Sequence, residues 1–174
     1  MYRSQMFVFR LMLVGVVASI GFMAWSAPIT MLGPLSGEVR SLAHLNKVRL
    51  IVERLPPAIY DAGIRVDRVG KSWKERLAEA GIAVVDDADA PSLRVMVVSA
   101  TDETVKDAIA YSLIITLEQP VQIPRIDLKV RIPTWTGVNL FVRAQDELPQ
   151  TFPRAMNAAF DKFVRRTRMA TNRY

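Results

Sequence analysis

Hydrophobic and polar residues alternate most regularly between residues 109 and 117. Hydrophobic side chains fill the odd positions, and small or polar side chains fill most of the even ones. The odd positions are Ile109, Tyr111, Leu113, Ile115 and Leu117. This period of two predicts a long strand with one buried face, as in an antiparallel sheet.

The alternation continues to residue 123 and crosses Pro120. Proline has no backbone N–H to donate to a neighbouring strand, so we expect a bulge or a sheet edge at this position. A sheet edge is also a place where a partner can dock, which makes Pro120 a candidate contact residue. After Pro124 the parity switches, and residues 126–132 predict the returning strand of a meander, which residues 134–142 either extend or leave.

Two further segments repeat hydrophobic residues at steps of three and four, which predicts amphipathic helices. One lies at residues 66–80, and the other begins near Pro149 and Pro153. Their apolar sides are formed by Trp73, Leu77, Phe152, Met156 and Phe160. We expect these side chains to pack on the odd face of the strand at residues 109–117.

The remaining strands are predicted at residues 47–55, 82–85 and 92–100, and the last of these is expected to be buried on both faces over much of its length. The predicted fold class is α+β. Its architecture is a two-layer sandwich of a mainly antiparallel sheet with two helices on one face. Residues 47–174 would form this domain, and residues 33–46, with two glycines and a proline, would form a linker.

The most apolar stretch is the uncharged run of 22 residues at positions 11–32. As a helix it would be about 33 Å long, enough to span a bilayer core of about 30 Å. Arg3 and Arg10 precede it, which predicts a cytoplasmic N-terminus and a periplasmic domain in the inner membrane of a bacterium. Trp25 would then lie near the outer membrane interface, as a candidate lipid contact.

The same stretch also has the features of a secretory signal peptide. Ala24 and Ser26 place small residues at the two positions that a peptidase reads before a cut preceding Ala27. We interpret the stretch as a retained anchor that holds the domain beside the membrane. The alternative is removal after export, which would leave a soluble periplasmic protein.

Charge and composition exclude several classes of function. The net charge is +6, and without residues 1–26 it is +4, from 21 basic and 17 acidic residues. These charges form no basic stripe with aromatic residues, so we expect no nucleic-acid partner. The chain has no cysteine, which excludes disulfides, cysteine-based zinc sites, thiol catalysis and lipidation at a lipobox.

No catalytic, cofactor-binding or metal-binding residues are predicted. His44 is the only histidine, and Asp86, Asp87 and Asp89 have neither the further oxygen ligands nor the glycine of a calcium loop. No serine, threonine or lysine stands in a known nucleophile arrangement. We therefore expect a protein that is not an enzyme and needs no cofactor.

Two further groups of residues are candidate contacts with a partner or with lipid. Arg165, Arg166 and Arg168 make the end of the last helix basic. They either complement the helix dipole in a solvated tail or bind anionic lipid heads or an acidic partner. Trp135 is either a core or strand-end residue or an exposed interface anchor.

Four segments carry a resemblance to known proteins: VRLIVERLPPAIYDAGI, WKERLAEAGIAVV, LRVMVVSA and AYSLIITLEQPVQI. In this order they resemble small exported bacterial proteins of unassigned function. More loosely, residues 47–165 resemble α+β envelope accessory proteins typified by the lipopolysaccharide-assembly lipoprotein and the N-terminal domain of the Tol-system propeller protein. Such relatives act by binding, so the resemblance implies no catalytic residue.

The leading hypothesis is a non-enzymatic accessory subunit, anchored by residues 11–32, whose periplasmic domain packs against a larger membrane complex. Secretion, respiratory and photosynthetic assemblies all use subunits of this kind. The alternative is a soluble periplasmic module that binds a lipid or a small ligand between its sheet and its helices.

Overall fold

The computed structural model describes residues 34–101 and 107–174, and the compact unit runs from Leu35 to Tyr174. Within these residues the strands are β1 (Lys47–Val52), β2 (Ala83–Val84), β3 (Ser92–Thr101), β4 (Ala108–Ile123) and β5 (Leu128–Ala144). The helices are α1 (Gly37–Arg40), α2 (Pro57–Asp61), α3 (Val66–Glu79) and α4 (Leu148–Thr171), with a 3₁₀ turn at Pro124–Ile126. The predicted α+β class is confirmed.

The sheet is mixed, so the prediction of a mainly antiparallel sheet is wrong. Its strand order is β2–β1–β3–β4–β5, and β1 runs parallel to both of its neighbours. The chain reaches β2 from β1 through α2 and α3, and a helical crossover of this kind returns a strand in the parallel direction. The antiparallel part, β3–β4–β5, matches the predicted meander, and residues 134–142 extend β5.

β3 begins at Ser92, which pairs with Glu118, so Pro120 lies beyond the reach of β3. This part of β4 therefore pairs with β5 alone. The missing N–H therefore costs no hydrogen bond to β3. The register also shifts between Leu117 and Glu118: Leu117 pairs with Trp135, and Glu118 pairs with Pro133. The predicted edge position is confirmed, and the bulge lies two residues before the proline.

The core lies between one face of the sheet and helices α3 and α4. All five odd residues from Ile109 to Leu117 are buried there, together with the five helix residues that the sequence predicted. The rings of Trp73 and Phe160 meet edge to face, with their centres 5.0 Å apart, and the ring centres of Tyr111 and Phe152 are 5.6 Å apart. The predicted packing of the helices on the odd face of β4 is confirmed.

The segment predicted as a linker belongs to the compact unit from residue 35 onwards. Ser36 caps α1 by accepting a hydrogen bond from the backbone N–H of Val39 at 3.3 Å. Val39 and Leu42 are buried in the core, so these residues are fixed by packing. A single helical turn is too short to produce a visible hydrophobic period, which explains why the sequence did not reveal it.

No helix among residues 34–101 and 107–174 is both long enough and apolar enough to cross a membrane. The predicted anchor at residues 11–32 and the candidate contact Trp25 lie outside the described residues. Residues 102–106, between β3 and β4, also lie outside the described residues.

Candidate interaction surface

The face of the sheet opposite α3 and α4 carries a group of hydrophobic side chains, of which four are exposed and two, Met96 and Ile114, are half-buried. Strand register places them in adjoining rows across β3, β4 and β5. We call this group the open patch, and its members are Met96, Val98, Ile114, Val138, Leu140 and Val142. Exposed fractions are 48% for Val98, 55% for Val138, 71% for Leu140 and 59% for Val142. Contiguous exposed apolar groups of this kind mark interaction sites in soluble domains.

The open patch exists because the second half of β5 has hydrophobic residues on both of its faces. Val138, Leu140 and Val142 point to the open face, while Phe141, between them in sequence, points to the core and stacks on Tyr111 at 5.2 Å. β3 shows the same pattern, because Val97 is buried whereas Val98 is exposed. The prediction that β3 is buried on both faces over much of its length is therefore wrong for its second half, where none of the described helices and strands covers the open side.

The other half of the open face is polar, and two of its arginines are held by hydrogen bonds. Arg94 donates hydrogen bonds to Glu53 and, at 3.3 Å, to Glu118. Burial alone would lower the pKa of Arg94, but these two carboxylates outweigh it and raise the pKa. Arg131 donates to the carbonyl oxygen of Ala90 and to the hydroxyl of Ser92, both at 3.1 Å. This half therefore differs from the open patch in its polar character.

The open patch ends at a sheet edge, because β5 is the last strand in the strand order. The segment around α1 covers this edge at two residues: Ser41 donates to the carbonyl oxygen of Thr134 and Glu38 accepts from the backbone N–H of Thr136, both at 3.0 Å. An edge strand leaves backbone N–H and C=O groups unpaired on one side, and proteins usually protect such edges with charges or proline. In β5 these protecting residues, Lys129, Arg131 and Pro133, all lie in the first half of the strand. From residue 134 to residue 144 the only charged residue is Arg143. The exposed part of the edge thus coincides with the open patch.

Two of the predicted contact residues now have defined positions. Pro120 is half-buried on the extension of β4 and pairs with Arg131. Trp135 is only 3% exposed, and its ring centre lies 5.4 Å from that of Phe163. The first of the two alternatives for Trp135 is therefore correct: its side chain points from β5 towards α4 and lies in the core. It is therefore not available as an exposed interface anchor.

The basic residues at the end of α4 lie apart from the open patch. Arg165 and Arg168 are exposed and Arg166 is half-buried, on the helix that packs against the opposite face of the sheet. His44 is exposed, has a left-handed backbone conformation and donates its backbone N–H to the hydroxyl of Thr171 at 3.0 Å. The structure therefore brings neither group together with Pro120 or with the exposed half of β5.

The acidic turn after β2 is held by local interactions. The Asp87 carboxylate accepts hydrogen bonds from the backbone N–H of Asp89 and from Lys47, which lower its pKa. Asp89 forms an ion pair with Lys129 at 3.2 Å. Within residues 34–101 and 107–174, no group of three or more histidines and carboxylates could hold a metal ion.

Sequence reasoning missed the open patch. Its signal was present in two places. One is Ile114, a hydrophobic residue at an even position of β4, and the other is the segment 138–142, in which every residue except Asn139 is hydrophobic. In isolation such residues indicate strands buried on both faces. Only the positions of the helices show that one of these faces is left open.

Comparison with solved structures finds bacterial lipoproteins. A minor lipoprotein from Acinetobacter baumannii is 17% identical with a TM-score of 0.37, and the match covers 75% of this chain and 95% of that one. The rare lipoprotein B from Shewanella oneidensis is 20% identical with a TM-score of 0.30, and the match covers 74% and 96%. These neighbours are of the kind that the sequence was predicted to resemble, although this chain has no cysteine. No protein-family model and no curated protein matches the chain.

Proposed function

We propose that this protein is a non-enzymatic accessory protein of the bacterial cell envelope, which docks on a larger protein complex through the open patch and the adjoining edge of β5. The observation that carries the proposal is the exposure of Val138, Leu140 and Val142 on the part of the edge strand that no other described residue covers. A strand in this state can pair its backbone with a partner strand and bury its side chains at the same time.

The partner that fits this edge is an extended strand of another protein, with alternating apolar residues and some acidic ones. Apolar residues would cover the open patch, and backbone groups would complete the hydrogen bonds of β5. The only charged residue in the exposed half of β5 is Arg143, since Lys129 lies in the first half and already pairs with Asp89. An acidic side chain of a partner strand would complement Arg143, whereas β5 of a second copy brings no acidic residue.

The envelope location rests on the N-terminal sequence. The proposed topology is a single membrane span at residues 11–32, with the domain in the periplasm, and the proposed partner is an inner-membrane complex. The alternative is a cleaved, soluble periplasmic protein. The intact mass of the protein from its native membrane fraction distinguishes the two: an uncleaved chain supports the anchor, and a chain beginning at Ala27 contradicts it.

The docking surface is tested with a photo-reactive amino acid in place of Leu140 in the full chain. After irradiation in cells, this position should crosslink to a segment of a different protein that co-purifies in mild detergent at a fixed ratio. The matched control places the same amino acid at Met169, which is also exposed but lies on α4. The control should give no crosslink to that segment.

A second measurement guards against capture of an unrelated protein. Leu140→Lys should abolish co-purification, because it places a charge in the centre of the open patch, whereas Met169→Lys should leave it intact. Three results contradict the proposal: a chain that always elutes alone, equal co-purification of the two variants, and a crosslink from position 140 to a second copy of this chain.

A further inference from the structure

A groove between α3 and α4 has the construction of a small-ligand site. It lies between the N-terminal halves of the two helices and has a volume of about 330 Å³. Its apolar lining includes Val69, Trp73, Phe152 and Met156, of which the last three are buried core residues. This volume falls at the lower end of the range of ligand pockets, about 300–1,000 Å³.

The polar groups around this groove are all able to donate hydrogen bonds. They belong to Arg65, Arg68, Ser72 and Asn157, and no aspartate or glutamate is among the lining residues. The side-chain oxygen of Asn157 already accepts a hydrogen bond from Arg76 at 2.7 Å, which leaves its NH₂ group as the free part of the amide. A lining with this composition complements a ligand that only accepts hydrogen bonds.

Arg68 supplies positive charge to the groove. Arg65 also lines it, but its guanidinium donates to the carbonyl oxygen of Tyr60 at 2.6 Å and stacks 3.9 Å from the centre of the Tyr60 ring, and Tyr60 is not a lining residue. Arg68 has no ion-pair partner among residues 34–101 and 107–174. A cation without an ion-pair partner favours an anionic group over a neutral acceptor.

We infer that this groove binds a small anionic amphiphile, with its apolar chain against Trp73 and Met156 and its anionic head at Arg68. A volume at the lower end of the range of ligand pockets suits one short chain. A free medium-chain carboxylate and the phosphate end of a membrane lipid share the required head-group chemistry. The site lies apart from the open patch, so it stands independently of the proposed docking function.

The test is calorimetric titration of decanoate, below its micelle concentration, into the full chain held in phosphatidylcholine nanodiscs. Empty nanodiscs provide the blank for partition into lipid. Wild type should bind one decanoate per chain, and decanol, which lacks the negative charge, should bind at least about tenfold more weakly. Replacing phosphatidylcholine by phosphatidylglycerol distinguishes the two sources, because only a lipid phosphate that occupies the groove would compete with decanoate.

Three variants locate the binding. Arg68→Gln should weaken decanoate binding about tenfold through loss of a charged hydrogen bond. Lys74→Gln removes the same charge from an exposed position of α3 that does not line the groove, and it should bind like wild type. Ser72→Phe fills the groove from its exposed rim and should abolish binding without loss of helical circular dichroism.

Four results would overturn this inference. They are the absence of saturable heat above the blank, equal affinity for decanoate and decanol, equal effects of Arg68→Gln and Lys74→Gln, and full binding by a folded Ser72→Phe variant. None of these variants touches the open patch, so failure here leaves the docking proposal in place. Conversely, a chain without a partner protein can still bind decanoate.

Discussion

The two faces of the sheet are built from the same strands but differ in what covers them. On the face under α3 and α4, Leu113 is completely buried, and it pairs across the strands with Asn139. One register position away, on the other face, Ser112 pairs with Leu140, which is 71% exposed. Both faces present leucine, isoleucine and valine, so the apolar character of the strands does not by itself decide which residues form the core.

The difference between the faces indicates a function for the open patch. Burial stabilises the fold by about 25 cal/mol per Å² of apolar surface removed from water, and residues of the open patch make little of this contribution. Their exposure also increases the risk of aggregation, which proteins normally avoid on an edge strand. A partner that covers the patch explains both facts.

The largest expected effect separates the two faces directly. Leu113→Ala should lower the free energy of unfolding by about 3 kcal/mol or more, because it leaves a cavity under the helices. Leu140→Ala removes the same atoms from the open face and should change it by no more than about 0.5 kcal/mol. Urea unfolding followed by circular dichroism measures both. Similar losses for the two variants would show that the open face is covered by the protein itself.

A second pair of variants tests how tightly the covered face is packed. A Cβ atom at Gly137 would lie 2.6 Å from the Trp135 ring, so Gly137→Ala forces the indole to move against Phe163. We expect a loss of about 1–3 kcal/mol in unfolding free energy. Gly37→Ala, in α1, meets no atom within 4 Å and should cost nothing measurable.

The tryptophan should account for the cost at Gly137. In the background Trp135→Leu, the Gly137→Ala substitution should lose most of its effect, since the clashing ring atoms are gone. A double-mutant cycle measures this coupling. An unchanged cost in that background would mean that the glycine is required for the backbone of β5 and not for the indole.

Periodic segments of the chain were predictable from the sequence because one physical rule decided their structure. β4 alternates, and α3 and α4 repeat every three to four residues, so that a single buried face determines each pattern. The parallel pairing of β1 was not predictable, since it depends on where the crossover through α3 returns the chain. α1 was missed because Val39, its one buried residue, and Leu42, just after the helix, are too few to form a period.

The candidate sites were harder to predict than the fold. Trp135 could not be assigned to the core or the surface from sequence, because the bulge after Leu117 determines which way β5 faces there. Pro120 correctly indicated a sheet edge, but the exposed hydrophobic edge lies on β5. The groove between α3 and α4 combines residues that are far apart in sequence, such as Ser72 and Asn157, and no local pattern connects them.

The smallest expected effect concerns a polar atom under the helices. Burial raises the pKa of Tyr111, with Arg143 and the nearby Thr151 side chain partly opposing it. The Tyr111 hydroxyl makes no hydrogen bond of ordinary geometry to Thr151 or to any other described residue. Tyr111→Phe should therefore raise the unfolding free energy at pH 7 by no more than about 1 kcal/mol. Urea unfolding at pH 7 measures this gain, and a loss above about 1 kcal/mol would indicate a hydrogen bond that the structure does not show.

The same substitution should have a larger effect in alkaline solution. Because the pKa is raised in the folded state, the unfolded state loses the Tyr111 proton first, near pH 10, and the wild type loses stability as the pH rises above that value. Tyr111→Phe removes this contribution and should flatten the alkaline limb of the stability curve. An alkaline limb as steep in Tyr111→Phe as in the wild type would show that the covered face admits solvent at Tyr111, and the contrast between the two faces of the sheet would then be smaller than the packing indicates.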